Sequence, residues 1–124
     1  MVRLKELREE FGLTTRDFLE YGIGKNGIYY VENGIHDVNT EKVDLFCTIF
    51  QVSSDYFCNR SDEGIYVKYF NDTYSLSIEN FLKYKELGFI KYDNKQRLLI
   101  LPDEYDIDFI HGNIKLIKVK PKKN

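Results

Sequence analysis

Tryptophan is missing from this chain of 124 residues, and proline, cysteine, histidine and methionine number only two, two, two and one. Two cysteines with only His36 and His111 cannot supply the ligand spacing of a structural zinc site. Cys47 and Cys58 both fall in apolar-patterned segments and read as buried structural thiols. The scarcity of proline, with 43% apolar residues, excludes a disordered chain. No run approaches the roughly 18 consecutive apolar residues of a membrane span, and Met1-Val2-Arg3-Leu4-Lys5 leads into charged helix instead of an apolar signal segment. A soluble, cytoplasmic protein with no membrane partner is expected. What the chain has in quantity is rings: ten Tyr and nine Phe point to cores built on aromatics. The length suits one ordinary domain or two very small ones.

Charge is distributed unevenly. The net value of −2 divides after Gly64 into 7 Lys/Arg against 12 Asp/Glu in front, −5, and 11 against 8 behind, +3. A domain that binds nucleic acid mainly by neutralising phosphates is expected to be basic, and the front half is not.

Along the front half, apolar residues recur at helical spacing. Leu4, Leu7 and Phe11 mark a first helix stopped by Gly12, and Thr14 or Thr15 caps a second in which Phe18, Leu19 and Tyr21 are the buried candidates. Gly22 is placed to leave that helix with positive φ. A third helix over residues 25–32 buries Ile28 and Val31 and ends at Asn33-Gly34. Asn39 caps a fourth, with Val43, Phe46, Cys47 and Phe50 on one face, and Ser53-Ser54-Asp55 opens a short fifth.

Residues 59–64 contain no apolar side chain and read as a linker. Beyond them the pattern turns to β: strands over 65–70 and 73–78 joined by a turn at Asn71-Asp72, a helix over 79–87, strands over 89–92 and 97–101, a loop, and a strand over 114–119 before a basic tail from Lys120. The expected fold class is α+β: a five-helix domain over residues 1–60, then a small β-β-α-β-β-β domain over residues 65–124.

The front half resembles the XRE family, the lambda-repressor/Cro type of helix-turn-helix domain. The resemblance rests on Leu4-Lys5-Glu6-Leu7-Arg8-Glu9-Glu10-Phe11-Gly12-Leu13-Thr14, Gly22-Ile23, Glu32-Asn33-Gly34, Val52-Ser53-Ser54-Asp55-Tyr56-Phe57 and Arg60-Ser61-Asp62-Glu63, in order and at nearly the family spacing. It implies that the third helix enters the DNA major groove. Gly24, Lys25, Asn26, Gly27 and Tyr29 would then face base edges, with Thr15, Arg16, Asn33, Ile35 and His36 near the phosphates. Lys25 suits guanine acceptors and Asn26 an adenine edge. For Lys25 the alternative is a solvated surface charge; for Tyr29 and Tyr30 it is core packing or a protein-facing patch. The resemblance also matches Arg8 and Glu32 to an ion pair between the first and third helices. Departures are a short second helix, Thr15 in place of a glutamine, and glycines at 24 and 27.

The back half matches no family. Its segment over 87–100 is similar to the basic hairpin of a winged helix, Leu99-Ile100-Leu101-Pro102 is faintly similar to AbrB-like regulators, and a plain α+β hairpin has the same pattern.

No nucleophile–base pair, phosphate loop or metal cluster is legible, so neither an enzyme nor a cofactor is expected. Asp103-Glu104-Tyr105-Asp106-Ile107-Asp108 reads as a solvated turn. Two functions follow. One is a sequence-specific transcriptional regulator, a repressor of bacterial or phage origin, binding double-stranded operator DNA as a homodimer, with the β-rich half for dimerisation or a protein partner. The other is a protein-binding inhibitor from a mobile element, anti-CRISPR-like, carrying a helix-turn-helix head.

Overall fold

The computed structural model describes residues 1–110 and 113–118, with the side chains of residues 1–105. The architecture is mixed α and β, and the chain divides into two compact units between Asp62 and Glu63.

The first unit is helical. It runs α1 (Leu4–Glu10), a 3₁₀ helix (Thr15–Tyr21), α2 (Lys25–Glu32), α3 (Thr40–Phe50) and α4 (Ser54–Phe57). Local chemistry sets the helix starts. The Asn39 side chain accepts from the Lys42 N–H at 2.9 Å and the Ser53 hydroxyl from the Tyr56 N–H at 3.1 Å, each filling one of the donors a helix leaves open at its N-terminus. The Thr14 N–H donates to the Asp17 carboxylate at 2.6 Å.

The second segment is a 3₁₀ helix; of the three residues expected to be buried, Phe18 is, while Leu19 and Tyr21 are not. At three residues per turn, positions i and i+3 eclipse. Phe18 is fully buried, Thr15 three residues before it is half-buried, and Tyr21 three residues after it lies at the surface with 37% exposure, whereas Leu19 turns out to 60% exposure.

The core of this unit is aromatic. Phe46 lies at 6.0 Å from Phe18, 6.4 Å from Phe50 and 5.4 Å from Phe57, and Phe50 reaches Phe11 at 5.9 Å, all centroid to centroid. Such pairs add to area burial by about 0.5–1.5 kcal/mol each. Leu4, Leu7, Ile28 and Val31 close it from α1 and α2. Arg3 ties the chain start to its end: its N–H donates to the Phe57 carbonyl, its guanidinium to the Tyr56 carbonyl at 2.9 Å and to Asp62 at 3.2 Å, and it sits 4.3 Å over the Tyr56 ring.

Cys47 and Cys58 are half-buried free thiols, not the fully buried ones expected. Burial, with smaller contributions from Cys58 and Asp44, pushes the Cys47 thiol up to about 11. At neutral pH it is therefore a packing group and not a nucleophile.

The second unit holds β1 (Glu63–Tyr69), β2 (Asp72–Ser77), α5 (Ile78–Glu86), β3 (Ile90–Asp93), β4 (Gln96–Leu99), β5 (Tyr105–Ile110) and β6 (Asn113–Lys118). Four strands form a mixed sheet in the order β2-β1-β4-β3, and β5 pairs with β6 in a separate antiparallel hairpin. The β1–β4 pair is parallel, with Lys68 opposite Leu98. The core of this unit joins Ile65, Val67, Leu76, Ile90 and Leu99 from the sheet, whose side chains alternate in and out, to Phe81 and Tyr84 of α5 and to Phe89 just before β3. The Ser77 hydroxyl caps α5 by accepting from the Asn80 N–H at 3.1 Å.

Four expectations about this unit need correction. Its order is β-β-α-β-β-β-β, because Tyr105, Ile107 and Phe109 alternate at period two and carry the acidic run into β5, paired Tyr105 to Lys118 and Asp108 to Lys115. The first turn is Phe70-Asn71, one residue earlier than expected, since Tyr69 pairs with Asp72. Ile78 begins the helix and does not end the strand. Arg97, counted with the basic hairpin, is fully buried: its Nη1 donates to the Tyr66 carbonyl at 3.3 Å and its guanidinium lies 5.6 Å from the Phe81 ring centroid, so it is not a surface cation. The expected tail from Lys120, and His111, lie outside the described residues.

Candidate nucleic-acid interface

The sequence-derived site residues cluster around α2. On a 3.6-residue repeat, Ile28 and Val31 share one face of this helix and are buried, while Asn26, Tyr29 and Tyr30 occupy the opposite face and Lys25 its flank in the first turn, all exposed. The entry to the helix is fixed by Gly22, left-handed at φ 77°, which ends the 3₁₀ helix, and by Ile23, which drops into the core and donates its N–H to the Phe18 carbonyl at 3.1 Å. Gly24 is the extended N-cap and carries no capping side chain. The N–H groups of Lys25, Asn26 and Gly27 therefore meet no side-chain acceptor at the cap, and they project from the positive end of the helix dipole.

Gly27 is half-buried. A Cβ there would stand 3.4 Å from the Ile23 side chain, a contact that fits, so the position takes alanine without rearrangement. Nothing in the structure requires glycine at 27.

The residues expected near phosphates separate into two groups. Thr15 and Arg16 open the 3₁₀ helix, Thr15 half-buried and Arg16 exposed. Asn33 and His36 lie at the other end of α2. The Asn33 amide donates to the Tyr29 carbonyl at 2.8 Å and so serves partly as a helix stop. Gly34, at φ 68°, turns the chain back so that the N–H groups of Ile35 and His36 both donate to the Tyr30 carbonyl. The His36 ring then stands perpendicular to the Tyr30 ring at 4.9 Å, and Tyr30 stands edge-on to Tyr29 at 5.8 Å. This row of three exposed rings was only half legible. The Asn33-Gly34 stop is visible in sequence, but not the reversal that lays His36 on Tyr30.

Ion pairing sorts the cations of the helical unit. Arg3, Arg8 and Arg60 are engaged with Glu6 and Asp62, with Glu32, and with Asp55. Among the described residues Lys5, Arg16, Lys25 and Lys42 form no such pair. Two of these four, Arg16 and Lys25, belong to the candidate site.

The Arg8–Glu32 contact sets the position of α2. Arg8 Nε donates to Glu32 at 2.5 Å, Nη2 to the second carboxylate oxygen at 3.4 Å, and Nη1 to the Leu13 carbonyl at 3.1 Å. The Glu32 hydrogen bond raises the Arg8 pKa above its ordinary value, against a smaller effect of burial. One side chain thereby joins α1, the following turn and the last residue of α2.

The fold and site define a two-unit α+β protein with a small aromatic-cored helical unit that presents one polar, aromatic helix face. No protein-family model matches the chain, and no solved structure does. It is similar to antitoxin PezA of Streptococcus pneumoniae serotype 4, 26% identical over 125 aligned residues, 93% of this chain and 79% of that protein. Among the described residues no helix is long and apolar enough to cross a membrane.

Proposed function

We propose that the chain is a DNA-binding regulator of bacterial or phage origin, with a lambda-repressor/Cro-type helix-turn-helix unit in front and a partner-binding unit behind. The observation that carries this reading is the exposed surface of α2: Asn26 and Tyr29 opposite the buried Ile28 and Val31, with exposed Lys25 at their flank, behind a helix start with no side-chain cap. In such a unit α2 lies in the major groove. Lys25 and Asn26 read base edges, the open N–H groups at residues 25–27 and Arg16 contact phosphates, and Arg8 holds the helix at its angle. The chain acts as a homodimer on a two-fold operator.

The test is nuclease footprinting on the DNA upstream of its own gene. The expected result is a protected inverted repeat whose half-sites are centred about 10 base pairs apart, or a multiple of that spacing. Uniform digestion at saturating protein contradicts the reading.

A second activity is favoured by the relative's name: the aligned protein is an antitoxin. We assign the partner this implies, a toxin protein, to the unit from Glu63 onward, so that inhibitor and regulator are two activities of one chain.

A further inference from the structure

We propose that the tip of the β1–β2 hairpin, with the recess beside it, forms a self-complementary surface that binds a second copy of this chain. The inference rests on the homodimer reading above and names the surface that builds the dimer. The loop between the paired Tyr69 and Asp72 is two residues long, Phe70-Asn71. Its first residue, Phe70, has φ 53° while Asn71 does not share the positive φ, the pattern in which a tight hairpin normally carries glycine at the first loop position. A bulky residue there is an outlier, and within the chain its ring meets only the neighbouring Tyr69 ring, edge-on at 4.6 Å, among the described contacts. Phe70 is also 80% exposed, so the strain is not repaid by burial within the described chain.

Directly beside it is a recess of about 310 Å³, lined by Lys68, Tyr69, Phe70, Leu98, Ile100 and Leu101. It opens at the carboxyl ends of the two parallel strands, β1 and β4, beyond their Lys68–Leu98 pairing. Ile100 on its wall is 51% exposed. The recess is large enough for one aromatic side chain.

Knob and recess on a single patch are what a two-fold contact needs, because one rotation seats each Phe70 in the recess of the other copy. The charges agree. Lys68 and Asp72 flank Phe70 two residues to either side, and Asp72 is steadied by the Tyr74 hydroxyl at 3.3 Å. The same rotation sets Lys68 of each copy against Asp72 of the other. A foreign surface of either sign would be attracted by one of these and repelled by its neighbour.

Sedimentation velocity on the full-length chain tests the surface. Phe70→Asn relieves the backbone, since asparagine accepts positive φ, so the variant melts at least as high as the parent when both are diluted to monomer. Its dimer is nevertheless weaker by about tenfold or more. Lys68→Glu and Asp72→Lys each weaken the dimer alone, and an equimolar mixture of the two associates more tightly than either, because both cross-pairs are then of opposite sign. A parent that is monomeric at high micromolar concentration, a Phe70→Asn dimer of parental strength, or a mixture no tighter than its components overturns the proposal. DNA binding separates this from the regulator reading: Phe70→Asn retains its affinity for a single half-site, so a failed surface leaves half-site binding intact and a failed regulator reading removes it from the parent.

Discussion

Arg8→Ala lowers the melting temperature of the helical unit by more than about 10 °C, which corresponds to about 3 kcal/mol for a unit of this size. The side chains of Arg8 and Glu32 are 19% and 10% exposed, so alanine at 8 leaves the carboxylate desolvated without its cation and the Leu13 carbonyl without its donor. The cost is that of the stranded charge, not of the lost attraction alone. A second substitution separates the two. Arg8→Met with Glu32→Met removes both charges and retains much of the volume, and the double variant melts above Arg8→Ala. Thermal melts by circular dichroism read both values. A drop below about 3 °C for Arg8→Ala shows the pair to be solvated, and α2 would then be positioned by Ile28 and Val31 alone.

How much of this was legible in the residues depends on how far each interaction reaches. Caps are local, so Asn39 and Ser53 could be read directly, and the i, i+3, i+4 pattern of Phe46 and Phe50 gave the buried face of α3. The Arg8–Glu32 pair spans 24 residues, and only the family resemblance pointed to it. Pattern reading failed where the repeat was not 3.6. Residues 15–21 wind at three per turn, and Leu19 faces solvent as a result.

In the second unit, charge concealed geometry twice. Asp106 and Asp108 hid the alternation of Tyr105, Ile107 and Phe109, which makes a strand. Arg97 looked like a surface cation but lies inside, its neighbours supplied by β1 and α5, partners 31 and 16 residues away. The turn at Phe70 was misplaced because aromatic residues ordinarily belong in strands and not in left-handed loop positions. The candidate site was legible as a set of α2 positions; the row of rings Tyr29, Tyr30 and His36 was not.

The second large effect is on DNA. Replacing Lys25 and Asn26 together with alanine weakens operator binding by at least about tenfold, from the one to three kcal/mol of discrimination that a good base contact supplies. Both side chains are exposed and neither contributes to the core, and alanine favours helix over asparagine, so the melting temperature does not fall. The salt dependence becomes shallower because one cation per protomer is lost. Unchanged affinity, or a loss of affinity that follows a loss of fold, contradicts the assignment of α2.

Whether an acidic helical unit binds DNA through a few well-placed groups, and not through a basic surface, is tested most directly by fluorescence anisotropy titrations of the full-length chain, against the duplex upstream of its own gene and a scrambled duplex of equal length, over a range of salt. The native duplex should bind tighter by about a thousandfold or more. With two cations per protomer in the interface, Arg16 at the phosphates and Lys25 at the base edges, the logarithm of affinity should fall against the logarithm of salt with a slope of about −4 or shallower. Equal affinity for the two duplexes, or no binding of either at low salt, contradicts this mode of binding.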